Sequence, residues 1–173
     1  MYKKILVATD GSALSDLALA HGVALAAVLK AGLVLVTATE PFHLLSTEAD
    51  QIADTEAEYR RQMQRRAAAL LERAASVAAA AGLSAMPVHM EGNHPFESII
   101  AAAGQEGCDL IVMASHGRRG LSAVVLGSET TKVLTHSSIP VLVVRAQAPQ
   151  AAEGTSAAVE WPSPDPAFLA PGR

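Results

Sequence analysis

Aromatic residues make up only 3% of this chain, so Ala, Val, Leu and Ile must fill its core. Cysteine is scarcer still. Cys108 stands alone, which excludes an internal disulfide framework and fits a reducing compartment. It reads as a small apolar residue just before a strand. There is no excess of positive charge: the net charge is −4 and the pI is near 5.8. A large nucleic-acid footprint needs a clustered basic face, so no nucleic-acid partner is expected. Long clean apolar runs are missing too. Leu17 to Ala38 is interrupted by His21, Lys30 and Gly32, whereas a spanning helix wants about 20 apolar residues. The apolar run after Lys3-Lys4 stops at Asp10, too soon for an export signal. These absences lead to the expectation of a cytoplasmic protein with no membrane partner.

What is present is an alternation of strands and helices. The 173 residues are 50% hydrophobic, enough for one domain with a full core. Lys4 to Thr9 is an apolar run closed by the turn signal Asp10-Gly11-Ser12. A helix follows from Ala13 to Ala31, with Ser12 as N-cap and Gly32 as its stop. Leu33 to Thr39 reads as a second buried strand. A longer helix starts near Thr47 and ends at Gly82. Its expected apolar face is Ile52, Thr55, Tyr59, Met63, Ala67, Leu70, Ala74, Val77 and Ala81. Arg60, Arg61, Arg65 and Arg66 on that helix read as a solvated face balanced by Glu56, Glu58 and Glu72.

Ser84 to Met90 is a third strand. Pro87 cannot donate a ladder hydrogen bond, which places this strand at a sheet edge. Pro95 to Glu106 is a third helix, Leu110 to Ala114 a fourth strand, Ser128 to His136 a fourth helix and Val141 to Arg145 a fifth strand. Continuous apolar strands alternating with helices belong to a parallel sheet covered on both faces. The fold class is therefore α/β, one doubly wound domain over residues 1–145. Residues 146–173 lack periodicity and hold five of the nine prolines, so they read as a disordered tail dispensable for folding and ligand binding. Trp161, Phe168 and Leu169 read as incidental to it.

In such sheets ligands bind beyond the carboxyl ends of the strands, where successive connections diverge. Asp10-Gly11-Ser12, Ala38-Thr39-Glu40 and Ser115-His116-Gly117 all arrive there. Gly127-Ser128 then opens the fourth helix, whose unpaired amides and partial positive charge suit phosphate. Arg118 and Arg119 add charge in the loop, and the Ser128 hydroxyl is a further donor. Glu129 stabilises the helix start but would repel an anion if it pointed inward. His116 reads as a loop donor without a catalytic partner. His89 and His94 stand in a strand and a loop, a poor arrangement for one metal. His21 reads as a surface residue of the first helix, and His136 as helix-terminal.

The stretches KKILVATDGS, DLIVMASHGRRGL, LGSETTKVL and SSIPVLVV together resemble the universal stress protein family, over residues 2–145. The nucleotide-binding branch carries Gly, two residues, Gly, nine residues, then Gly followed by Ser or Thr. Here Gly117 and Gly127-Ser128 keep the spacing, while Ala114 replaces the first glycine. The resemblance implies a five-stranded parallel sheet in the order 3-2-1-4-5. It implies ATP, or ADP or AMP, often with a divalent ion such as Mg. Asp10 would meet the adenine or ribose side and Ala38 the adenine. Ala114, His116 and Gly117 would line ribose and phosphates, with Arg118 adding charge beside them, and Gly127, Ser128 and Glu129 would sit at the phosphate end. It also implies a homodimer through the last strand, Val141 to Val144, acting as a stress sensor or signalling module toward an unidentified protein partner. Hydrolysis would be slow at most, because no clamp lysine or water-positioning carboxylate is in view and Lys132 lies too far along its helix. The alternative is the family's branch that does not bind ATP. A ligase of the ATP-splitting kind is disfavoured by the absence of a Ser-Gly-Gly loop. A two-component receiver is disfavoured because Met90-Glu91-Gly92 offers no phosphorylatable Asp.

Overall fold

The computed structural model describes residues 1–41, 49–116 and 126–145, with side chains in the second helix from Glu56 onward. Thr47, the side chains of Ile52 and Thr55, Gly117, Arg118, Arg119 and the tail after Arg145 lie outside the described residues. Five strands form one parallel sheet: β1 (Lys4–Ala8), β2 (Gly32–Thr39), β3 (Ala85–Glu91), β4 (Leu110–Ala114) and β5 (Val141–Val144). Their order is β3-β2-β1-β4-β5. The connecting helices are α1 (Ala13–Leu29), α2 (Ala49–Ala80), α3 (Pro95–Gln105) and α4 (Ser128–His136).

Side-chain alternation along each strand sorts the core into two layers. Ile5, Val7, Leu33, Leu35, Leu110 and Val112 pack under α1 and α2. Leu6, Val34, Val36, Ile111 and Met113 pack under α3 and α4, with Ile99 and Val133. The chain builds outward from β1 to β3, then returns through α3 to β4. The switch point therefore falls between β1 and β4. Pro87 stands on β3, whose single neighbour is β2, as its missing N–H requires.

Two expectations are corrected. The first helix does not stop at Gly32. Lys30 takes the left-handed turn at φ 53°, the Ala31 N–H reaches the Ala26 carbonyl at 3.0 Å, and Gly32 is already the first residue of β2. The closing hydrogen bonds tolerate a non-glycine residue in that conformation, at a cost of about 1–2 kcal/mol. In α2 the buried face is Ala67, Leu71, Ala74 and Ala78, not the face through Leu70 and Val77. Val77 is 42% exposed. The helix rests on a sheet that the small alanines approach closely, and the face turns by one residue to let them do so. Gly82, at φ 76°, ends the helix as expected, with the Leu83 N–H on the Ala78 carbonyl at 3.0 Å.

The amino-terminal edge of the sheet is tied by Asp109. Its carboxylate accepts from the Lys3 N–H at 3.0 and 2.8 Å and from the Lys4 N–H at 3.0 Å. The Lys4 amide, then the Lys3 amide, hold its pKa below the ordinary 3.8. A depressed carboxylate pKa stabilises the fold above the unfolded-state value, and that stabilisation is lost as pH falls through the folded value. Asp109→Asn should therefore lower the urea midpoint at neutral pH. The gap to the native protein should close as both are titrated below 3.8. A gap that stayed constant with pH would remove the carboxylate from the account. Next to it Cys108 is buried, and burial pushes its thiol up to about 11. That is the inert apolar residue expected of it.

Candidate functional site

The carboxyl rim gathers the ends of β1, β2 and β4 with the first turn of α4. After β1, the Asp10 carboxylate accepts from the Ser12 N–H at 3.0 Å, closing a local turn around Gly11 at φ 77°. Ser12 caps α1, its hydroxyl accepting from the Ser15 N–H at 3.2 Å. Thr9 is buried and pairs its hydroxyl with that of Ser15 at 3.2 Å. The rim below Asp10 is thus held rigid by short-range hydrogen bonds. Ala38 and Thr39 end β2. The Thr39 hydroxyl meets the His89 Nε2 at 2.8 Å, tying the tips of β2 and β3.

At β4 the structure places the corner that the spacing pointed to. The Gly127 N–H donates to the Ser115 carbonyl at 2.7 Å, and the Ser115 N–H to the Val144 carbonyl at 2.8 Å. The Thr130 hydroxyl, buried, donates to the Ala114 carbonyl at 2.9 Å. A Cβ on Gly127 would lie 3.0 Å from the His116 Cα. Gly127 has φ −63° and ψ 152°, a conformation open to any residue. Glycine is therefore favoured there by the closeness of the two backbones, which a Cβ would have to push apart by a few tenths of an ångström, and not by a special turn. The His116 Nδ1 lies 3.2 Å from the Ser115 hydroxyl, either atom donating.

The first turn of α4 divides its residues by direction. Gly127 and Thr130 face the tip of β4. Glu129 faces α3, where its Oε2 accepts from the Phe96 N–H at 2.9 Å. Ser128 is exposed, and among the described residues no side chain caps the helix. Among the described residues, the opening amides of α4 thus have no side-chain acceptor, and the Ser128 hydroxyl stands exposed beside them. Ala114 is buried, and its methyl belongs to the core layer under α1 and α2, with Val112 and Val144. The replacement of a glycine by alanine at this point is absorbed inside the sheet.

Asp10, Ala38, Ala114, His116, Gly127 and Ser128 are thus brought to one rim. Gly117 and Arg118 lie outside the described residues. The side chain of Glu129 is committed to the Phe96 N–H in the first turn of α3, and nothing in its sequence position signalled that partner. Among the described residues no group of His, Cys, Asp or Glu side chains is arranged to hold a metal ion. His21 and His136 are exposed, and no described helix is long and apolar enough to cross a membrane.

These features define an open, doubly wound α/β protein with a small-residue corner at its switch point. The chain belongs to the universal stress protein family, whose model matches residues 1–145. It is 34% identical to the universal stress protein YxiE of Bacillus subtilis over 152 residues, 84% of this chain and 100% of the relative. It is 31% identical to the universal stress protein MJ0577 of Methanocaldococcus jannaschii, over 84% of this chain and 96% of that protein. The solved structure of MJ0577 superposes with a TM-score of 0.73, covering 86% of this chain and 99% of the other. A universal stress protein solved in complex with cAMP superposes with a TM-score of 0.62 at 25% identity, covering 84% and 99%.

Proposed function

We propose that this protein binds an adenine nucleotide, with ATP and its Mg ion as the leading candidate, and serves as a homodimeric, cytoplasmic stress-response module. The observation that carries this reading is the uncapped first turn of α4, pinned by Gly127 against Ser115 with the exposed Ser128 beside it. Amides held in this way suit a phosphate without needing a cationic side chain. The family member solved with cAMP supports an adenine ligand. Asp10 and Ala38 would take the base and ribose end; Ala114, His116, Gly117 and Arg118 the ribose and phosphates; Gly127 and Ser128 the far phosphate. Ala114 does not oppose this, because its methyl is buried in the core.

The dimer reading rests on the two edge strands. β3 is blunted by Pro87 and carries His89 and Glu91, whereas β5 is the short apolar edge VLVV with Leu142 41% exposed. The module would act mainly by being occupied, with turnover slow at most.

Denaturing the purified protein and weighing the small molecules released should find an adenine nucleotide, or the emptied protein should give heat on titration with ATP and Mg. Sedimentation should return twice the chain mass. A protein that releases nothing and gives no heat refutes nucleotide binding and favours the family's nonbinding branch.

A further inference from the structure

An acidic residue in the first turn of a helix proposed to hold phosphate is a conflict, because its charge opposes that of the ligand. The structure resolves it by turning Glu129 toward α3. That helix begins at Pro95, and its N-cap residue His94 offers no side-chain cap. The Phe96 N–H is instead accepted by Glu129 from the neighbouring helix, at 2.9 Å. The second oxygen of the same carboxylate accepts from Lys132 Nζ at 2.9 Å. Lys132 Nζ lies 5.3 Å over the Phe96 ring, and the His136 ring lies 5.2 Å from it on the other part of α4. One carboxylate thus caps α3, is neutralised on its own helix, and brackets Phe96 between the two helices.

We propose that Glu129 is a positioning residue: its side chain latches α3 to α4 through Phe96 and Lys132, and so orients the Gly127-Ser128 corner without the carboxylate touching the ligand. The inference rests on the nucleotide reading for its effect on affinity. Its physical basis is that, among the described residues, the other hydrogen bonds tying the start of α4 to the rest of the fold are at the β4 tip, from Gly127 and Thr130, with Val133 packed in the core one turn further on. Two polar anchors on one side fix the first turn of a short helix less firmly than three. The third stands on α3. The α3 dipole and Lys132 also offset the negative charge of the carboxylate.

The test compares Glu129→Ala and Glu129→Gln with the native protein, using ATP with Mg and adenosine as paired calorimetric probes. Glu129→Ala should weaken ATP about tenfold, the worth of one charge-assisted hydrogen bond, and leave adenosine unchanged. Glu129→Gln keeps an oxygen for the Phe96 N–H and should restore most of the ATP affinity. Amide exchange provides a readout that needs no ligand. In Glu129→Ala it should quicken at Phe96, Gly127 and Thr131, whose N–H groups are hydrogen-bonded in the latch and corner. Unchanged exchange at Gly127 and Thr131 overturns the latch. So does a Gln variant as weak as Ala, or adenosine weakened in step with ATP. Native protein that takes up no nucleotide overturns the ligand reading alone, and the exchange pattern still decides the latch.

Discussion

Gly22→Leu should lower stability by about 3 kcal/mol or more, and Gly22→Ala should also destabilise, although alanine is the better helix former by roughly 1 kcal/mol. Gly22 sits in the middle of α1, on the buried line Ser15, Ala18, Leu19, Gly22, Val23 and Ala26. A Cβ at this position would collide with Val7 Cγ2 and come within 3.7 Å of Val112 Cβ. Val7 is fully buried on the central strand, in register with Leu35 and Val112 on its two neighbours. Its branched side chain has few rotamers to move into. The helix must therefore lift off the sheet or the strand must yield, and both disturb a core packed at crystal-like density.

The partner of the collision provides the control. Val7→Ala alone should cost about 2 kcal/mol by leaving a cavity. Combined with Gly22→Ala, the new methyl occupies part of that space, and the pair should be more stable than the sum of the single losses by about 1 kcal/mol. Urea midpoints with an unchanged m value measure all four corners of the cycle. Gly22→Ala matching or exceeding the native midpoint would mean that the contact is not tight in solution.

Much of this fold was legible because the strands announce themselves. ILVA in β1 and LIVMA in β4 are uninterrupted apolar runs, as strands covered on both faces require. Pro87 marked an edge, and Ser12 and Gly82 marked helix ends, because each depends on a local backbone demand. What was misread depends on distance across the fold. In α2 the alanines at 67–69 and 74–75 allow two faces one residue apart, and only contact with the sheet selects the face through Leu71 and Ala78. Gly22 gave no sign of its role, since a helix-interior glycine looks like a weakness until Val7 is seen beneath it. The proposed site divides in the same manner. The spacing singled out Gly127-Ser128, which the structure sets against Ser115, but the direction of Glu129 was decided by Phe96, 33 residues away.

Gly127→Val should reduce nucleotide affinity by more than about a hundredfold while leaving a folded protein, and it should empty any nucleotide that the native protein carries through purification. The dihedral angles at Gly127 suit valine, so the backbone conformation is not what fails. The obstacle is space. A Cβ would lie 3.0 Å from the His116 Cα, 3.2 Å from its Cβ and 3.3 Å from the Ser115 carbonyl oxygen. Two of these three neighbours are backbone atoms just beyond β4, where the Ser115 to Val144 hydrogen bond resists the few tenths of an ångström they would have to give. The corner must open instead. The 2.7 Å hydrogen bond from Gly127 to Ser115 lengthens, and the first amides of α4 move off the line on which they would meet a phosphate. Each charge-assisted hydrogen bond so lost is worth about 1.5–3 kcal/mol, so misaligning two of them accounts for the expected fall. Thr130, bonded to the Ala114 carbonyl at 2.9 Å, keeps α4 attached and the fold intact. Gly127→Ala, with a single methyl against the same atoms, should fall between the native protein and the valine variant. Ser128→Ala removes one hydroxyl and no amide, and should cost no more than about tenfold. Calorimetry with ATP and Mg orders the series, and thermal unfolding confirms that each variant is native. A folded Gly127→Val protein that retains its nucleotide would move the phosphate site away from this corner.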